Sequence, residues 1–366
     1  MLFQIKSLDG LRGIAALIVL LSHTSNVDFF LLPYFDFSGT GKSGVYLFFI
    51  LSSFLLTYPM LKYHQDIFSH DAMVRYWRRR FFRICPLYFL YLLAGLSSSL
   101  VLNHFFGPKE WAIPFQLTIS EFFQHILLLA GKGVTWSIAV EFKYYFFLPF
   151  VAWFSAKLLN KGVVAAIVVL FALILALLWS FPEVSFKNKP TDLAQYFPVF
   201  LFGTILACLQ AFIDRCSNVK IIPKYLFSLL CYLSILAFIL TIPSIYSILV
   251  EPVSPNYFSR ERVLYCVIWS VLLISLINSK TLICRFLSHN YLRYLGKISF
   301  SVYLIHPVVI DLIRHFNIHT PVNAWVVLFL TLLISSLTFT FIEKPFIQFA
   351  SKDKVLKPKQ ANSSFG

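Results

Sequence analysis

The chain has 366 residues, of which 58% are hydrophobic and 13% charged, with a mean hydropathy of +0.76 and a formal net charge of +15. A soluble domain carries about 25% charged residues, so the excess apolar surface must face lipid and a soluble globular fold is excluded. The positive balance, which in a soluble protein would suggest nucleic acid, reads here as lysine and arginine at membrane surfaces, with no nucleic-acid partner.

The expected fold is all-α: a polytopic bundle of about ten spanning helices, near the 20 residues that a bilayer core requires. The predicted spans are roughly 11–31, 44–61, 84–105, 137–156, 163–181, 193–212, 225–248, 262–278, 298–315 and 324–343. One transmembrane domain then covers 1–346, and 347–366 forms a disordered cytoplasmic tail. The first apolar run has Asp9 upstream and no small-residue cleavage site after it, so it is expected to stay as a helix.

That first run, SLDGLRGIAALIVLLSH (7–23), holds Arg12 at its entrance and His23 eleven residues on. Eleven residues is three turns plus about 20°, so both lie on one face, separated by about 16 Å. Arg12 is expected at the cytoplasmic mouth and His23 near mid-membrane, where an imidazole needs protein or a water-filled cavity around it.

Residues 62–83 are expected as an inner loop running into RYWRRRFFRICP (75–86), with five arginines at the cytoplasmic end of the third helix. Arginine forks onto phosphate oxygens, and Arg80 and Arg83 stand i, i+3 on one side of a helix, with Arg79 beside them. An anchor on anionic lipid explains the cluster equally well. Residues 117–130 are too short and polar to span and are expected as a half-buried or interfacial helix.

In TWSIAVEFKYYFFLP (135–149), Glu141 falls inside the fourth span with Tyr145 at i+4, while Lys143 points elsewhere. SFSVYLIHP (299–307) places His306 about eight residues into the ninth span; a packed histidine bonded to nearby backbone is the plainer reading there. Six scattered cysteines without a C-x-x-C pair read as buried thiols, neither a disulfide framework nor a zinc site.

With the N-terminus inside, most of the 31 lysines and arginines fall on the cytoplasmic side, which predicts N-in and C-in. No internal repeat is visible, which weakens an inverted-repeat transporter. The ionisable residues lie on four helices and imply one polar cavity, with Asp9, Tyr145 and His306 as further lining candidates. Such a cavity suits a phosphate-bearing donor that enters from the cytosol and reacts deep in the membrane, with His23 and Glu141 as an acid–base pair. No helical H-x-x-x-H or H-x-x-E-H spacing supports metal chemistry. A lipid or glycan transporter whose arginines hold a head group remains open.

The same motifs, in order, resemble the membrane acyltransferase-3 family, whose members O-acylate bacterial surface glycans and other acceptors. The resemblance runs from SLDGLRGIAAL to FIEKPF and includes R-x10-H at Arg12 and His23, FFILSSFLLT, R-x-x-R at Arg80 and Arg83, TWSIAVEFKYYFFLP and SFSVYLIHP. Ser53 stands where the family has glycine, Cys85 where an aromatic is common, and FKYY follows Glu141 where x-x-F-Y is usual. The resemblance implies an inner-membrane, multi-pass enzyme with acetyl-CoA or another acyl-CoA as donor and a glycan or lipid-linked saccharide as acceptor; a non-glycan small molecule is the alternative acceptor. It also implies His23 as catalytic histidine, Arg12 as its partner, Arg80 and Arg83 on the CoA phosphates, and Glu141 in the site. The extracytoplasmic esterase-like domain of some relatives does not follow the last helix here, so this chain is expected to do both capture and transfer.

Overall fold

The structure is a computed structural model and describes residues 5–33, 35–63, 67–107, 113–181, 190–216, 223–251, 253–254, 257–315 and 322–351. Among the described residues there are helices and no strands. In chain order they are α1 (Lys6–Ser25), α2 (Gly41–Lys62), α3 (His70–Phe106), α4 (Ile119–Ile126), α5 (Thr135–Lys161), α6 (Val163–Ser180), α7 (Leu193–Arg215), α8 (Lys224–Leu240) and α9 (Pro243–Leu249). Then follow α10 (Arg262–Asn278), α11 (Leu282–Leu287), α12 (Asn290–Lys297), α13 (Ser299–His315), α14 (Asn323–Thr338) and α15 (Lys344–Ser351). A π-helical turn, Phe339–Glu343, joins the last two.

Among the described residues, five helices are long and apolar enough to cross a membrane: α2, α3, α6, α7 and the run Asn323–Ser351. The bent pairs α8–α9 (90°) and α12–α13 (73°) raise the number to seven if each is one span. Each of the ten predicted segments falls at least partly on a helix. α1 and α5 are 20 and 27 residues long. They are not among the apolar five, and both carry ionisable residues of the candidate site.

Several boundaries differ from the sequence expectation, each for a local reason. α1 starts at Lys6 and ends at Ser25, not near 31. Asp28 has φ +62°, a left-handed conformation that ends a helix and that Asp tolerates. Arg12 therefore sits two turns inside α1, and His23 in its last turn. The expected loop 62–83 shrinks because α3 begins at His70 and carries the arginines as helix, while Arg78 Nη2 donates to the Ala350 carbonyl at 2.9 Å. The span expected at 225–248 is broken because Pro243 has no N–H to give and disfavours helical backbone at Ile242, which is extended. Residues 347–351 of the expected tail are helical; its remainder lies outside the described residues. The polar segment at 117–130 contains the short α4, closed by a capping box: Glu121 N–H donates to Thr118 Oγ1 at 3.2 Å and Thr118 N–H to Glu121 Oε2 at 2.9 Å.

At the centre, α2 packs chiefly on α7 and α1. Phe49 stacks on Phe200 at 4.5 Å, and Phe200 on Tyr144 of α5 at 3.9 Å. Ser53, which stands where the family has glycine, is fully buried and hydrogen-bonds Tyr144 (2.9 Å) and Thr204 (3.0 Å), tying three helices at one point. All six cysteines are free thiols, but only Cys208, Cys231 and Cys266 are buried as expected; Cys85, Cys216 and Cys284 are half-buried. The outermost apolar helices, α6 and α14, keep most of their surface outside the bundle, as lipid-facing helices do.

The seam between α1 and α12 depends on glycine. A Cβ on Gly296 would lie 1.8 Å from the Asp9 carbonyl oxygen, and one on Gly10 1.9 Å from that of Leu287. The backbones approach as small residues allow in membrane helices. Gly296→Ala should force them apart at a cost of about 1–3 kcal/mol. The expected result is a lower thermal midpoint for the solubilised protein; an unchanged midpoint would contradict the close seam.

Candidate active site

Two polar groups lie within the bundle, joined along α1. The first gathers around Arg12. Arg80 and Arg83 reach it from α3 and Glu141 and Tyr145 from α5, all within electrostatic range of Arg12. Glu141 accepts hydrogen bonds on Oε1 from the Ser52 hydroxyl of α2 and from Tyr145 at 2.7 Å. The Arg80 guanidinium lies over the Tyr145 ring, 5.8 Å from its centroid. Tyr76 secures that turn by donating to the Tyr145 carbonyl at 2.9 Å.

A second carboxylate, Glu343, enters from the other side. It is 3% exposed, accepts from the Ser301 hydroxyl of α13 and lies within electrostatic range of Arg83 and Arg12. Its place follows from the π-helical turn, a backbone feature frequent at functional sites. Three guanidinium groups thus meet two carboxylates. The Nε of Arg12 is buried with no hydrogen-bond partner among the described residues. A buried charged donor left unpaired is costly, and the group carries one more guanidinium than carboxylate.

The second group surrounds His23. Its Nδ1 lies 3.0 Å from the Val19 carbonyl oxygen and 3.1 Å from Nε2 of His306. The two rings are 5.0 Å apart and tilted by 38°. His306 is 1% exposed, and its Nδ1 lies 3.0 Å from the Val302 carbonyl oxygen. His23 lines a cavity of about 510 Å³ with Ser22, Lys42, Trp136, Tyr303 and Asp311. That volume falls within the range of ligand pockets. A larger cavity, about 1060 Å³, lies by α5, α6 and α7; its lining is mainly apolar, includes Lys143, and contains none of the candidate catalytic residues. The smaller cavity is the candidate because His23 lines it, with Lys42 and Asp311 in the same wall and His306 in contact with His23.

α5 links the two groups. Ser137, Glu141 and Tyr145 stand four residues apart on one face. Ser137 donates to the Tyr303 hydroxyl at 2.7 Å, beside the His23 cavity, and Glu141 and Tyr145 continue the stripe to the arginines.

Of the residues picked from sequence, Glu141 stands with the arginines and is also within electrostatic range of Tyr303, on the wall of the His23 cavity. Arg12, Arg80, Arg83, Glu141 and Tyr145 meet at the first group. The hydrogen bonds of Glu141 run to Ser52 and Tyr145, and those of His23 to Val19 and His306. His306 is thus not only a packed histidine but the neighbour of His23. Arg79 is half-buried, about 100° around α3 from Arg80. Asp9 lies at the α1–α12 seam, 3.9 Å from Nε of Arg293. Lys143 turns away and donates to the Thr191 carbonyl at 2.8 Å. Ser52, Ser301 and Glu343 were not among the sequence candidates; for Glu343 the available signal was a lone carboxylate closing an apolar run, in FIEKPF. Among the described residues no group of three or more His, Cys, Asp or Glu could hold a metal ion.

These features define a helical membrane protein with a polar site buried between its helices. Comparison with known proteins resolves the class further. The acyltransferase-3 family model, described as "Acyltransferase domain", matches residues 5–342. The chain belongs to this family. It is 24% identical to the peptidoglycan O-acetyltransferase OatA of Listeria monocytogenes over 368 aligned residues, covering 93% of this chain and 55% of the relative. It is 25% identical to a Bacillus subtilis protein named "Putative peptidoglycan O-acetyltransferase YrhL", covering 93% and 54%. A Staphylococcus aureus protein named "Putative O-acetyltransferase SACOL0978" is 24% identical, at 93% and 57%. The chain thus spans a little over half the length of these relatives. No solved structure matches it.

The carboxylate at the first group yields a direct expectation. Glu141→Ala leaves the Ser52 and Tyr145 hydroxyls without their acceptor, at about 1–3 kcal/mol for each buried group. Glu141→Gln keeps an amide oxygen there. Thermal unfolding of the solubilised protein without substrate should rank wild type above Gln and Gln above Ala; equal midpoints for the two variants would contradict the assigned hydrogen bonds.

Proposed function

We propose that this chain is a membrane O-acyltransferase that moves an acetyl group from acetyl-CoA to a sugar hydroxyl of a cell-surface or lipid-linked glycan. The observation that carries this reading is the arrangement along α1: a guanidinium cluster around Arg12 and, about 16 Å further on the same face, a histidine in a ligand-sized cavity. Acetyl-CoA is itself two-ended. Its phosphates match Arg12, Arg80 and Arg83, and its thioester lies at the end of a long flexible arm that can follow α1 toward His23. The relatives named for peptidoglycan favour an envelope glycan as acceptor.

In this mechanism His23 takes the proton from the acceptor hydroxyl as general base. The freed oxygen attacks the thioester carbonyl carbon. The carbon–sulfur bond breaks, the ester forms, and the CoA sulfur leaves with the proton returned by His23. Glu141, holding Ser52 and Tyr145, keeps the arginine cluster ordered near the donor, and Glu343 balances Arg83 from the other side. The membrane assignment is the inner (plasma) membrane, with ten passes, both termini in the cytosol and the donor entering from inside.

In membranes supplied with acetyl-CoA and peptidoglycan fragments, the expected result is acceptor-dependent CoA release. His23→Ala should lower it by about 10²–10⁴-fold with unchanged expression. Arg83→Lys keeps charge but loses the fork, so the KM for acetyl-CoA should rise about tenfold for each 1.4 kcal/mol lost. An alanine variant at the wild-type rate would remove His23 from the chemistry, and an unchanged KM would leave the arginines as an inside anchor.

The orientation has its own check. In a cysteine-free background, Phe68→Cys and Gln360→Cys should stay unlabelled by an impermeant thiol reagent in intact cells and label after permeabilisation. Labelling of either from outside would overturn the cytosolic route for the donor.

A further inference from the structure

We propose that His306 is a positioning residue that fixes the proton of His23 on Nδ1 and aims its Nε2 at the acceptor hydroxyl. This rests on the transfer reaction above for its purpose, but its geometry stands independently. The inference follows from which atoms can donate.

A carbonyl oxygen only accepts hydrogen bonds. Nδ1 of His306 lies 3.0 Å from the Val302 carbonyl oxygen, so in the neutral ring that nitrogen carries the hydrogen. Nε2 of His306 is then a lone pair. Nδ1 of His23 faces that lone pair at 3.1 Å and the Val19 carbonyl oxygen at 3.0 Å. Two acceptors converge on one nitrogen, so His23 must carry its hydrogen there and share it between them. The opposite assignment, with His306 Nε2–H donating to His23 Nδ1, sets a nitrogen lone pair against a carbonyl oxygen at both histidines. It would also put a hydrogen on His23 Nε2 and remove its basicity.

Val19 alone would suffice to choose the tautomer. His306 adds two things. First, Val19 lies one turn before His23 on the same helix, whereas His306 comes from α13, so the ring is held between two helices. His306 is itself braced by its own carbonyl contact and by burial. Second, when His23 accepts the hydroxyl proton on Nε2 it becomes a cation, and its Nδ1–H still has the His306 lone pair to donate to. The acceptor O–H bond breaks, a new N–H forms on His23 Nε2, and the Nδ1 hydrogen stays in place. His306 thus orients the base and supports its charged form while remaining neutral, the job a carboxylate does beside the histidine of a catalytic triad.

Two measurements on the full-length protein test this. Nitrogen-15 NMR of histidine-labelled protein, assigned by difference against His23→Ala and His306→Gln, should find Nδ1 of His23 protonated and Nε2 of His306 unprotonated in the substrate-free state. A proton on Nε2 of His23 would overturn the proposal. That readout needs no acceptor, so absent CoA release in the wild type would defeat the functional reading and leave the tautomer result standing.

The second measurement is kinetic. His306→Phe fills the space without an acceptor and should lower kcat by about 10²-fold, as misorientation of a catalytic group does, with the KM for acetyl-CoA within twofold of wild type. His306→Gln places an amide oxygen near the position of Nε2 and should recover at least tenfold over Phe. Equal rates for the two variants would make His306 a packing residue and overturn the proposal. If the Phe variant does not fold, the wild-type NMR result decides.

Discussion

Three half-buried arginine side chains gathered inside an apolar bundle form the constraint on which the rest of the structure depends. Each guanidinium taken out of water costs several kcal/mol unless charges and hydrogen bonds replace its hydration. Arg12, Arg80 and Arg83 also repel one another. The fold answers by bringing carboxylates from two further directions: Glu141 from α5, held by Ser52 and Tyr145, and Glu343 from the π-helical turn, held by Ser301. The compensation is incomplete, since Arg12 Nε is left without a partner among the described residues. That unpaired donor is the feature on which the proposed binding of an anionic donor rests.

α1 can serve this site because its faces do different work. Its glycines let α11 and α12 approach to backbone contact on one side, so that the helix is fixed without large side chains. Its other side is thereby free to present Arg12 and His23 to the interior. A rigid helix sets their separation and shared direction, which precise chemistry needs more than it needs strong binding. α5 runs a parallel polar stripe, Ser137, Glu141 and Tyr145, from the Tyr303 wall of the His23 cavity to the arginines.

The departures from the family pattern fit this scheme locally. A serine in place of glycine at position 53 is not idle: its hydroxyl joins Tyr144 and Thr204 across three helices, close to Ser52, which bonds Glu141. The extra tyrosine of FKYY has the matching role, since Tyr144 stacks on Phe200 and bonds Ser53 while Tyr145 holds Glu141. Polar bonds between helices do the same job here as close packing does elsewhere.

Composition and period in the sequence by themselves determined the helical membrane class, the approximate position of the helices, and the shared face of Arg12 and His23. These are local properties: apolar excess demands lipid, and 3.6 residues per turn decide which side chains align on one helix. The i, i+3 pair Arg80 and Arg83 and the i, i+4 pair Glu141 and Tyr145 were legible for the same reason. The sequence also overran α1 past Asn26, read a continuous span through Pro243 and left the arginine helix as loop before residue 84, because apolar content alone marks membrane residence rather than helix ends. Only the tertiary structure decided that Glu141 bonds Ser52 and Tyr145 beside the arginines, that His306 meets His23, and that Glu343 is buried. Those partners lie on different helices, between 89 and 283 residues apart for Ser52–Glu141 and His23–His306. No period along one chain segment relates them; their pairing follows from how the helices pack and from the cost of burying a polar group without a hydrogen-bond partner.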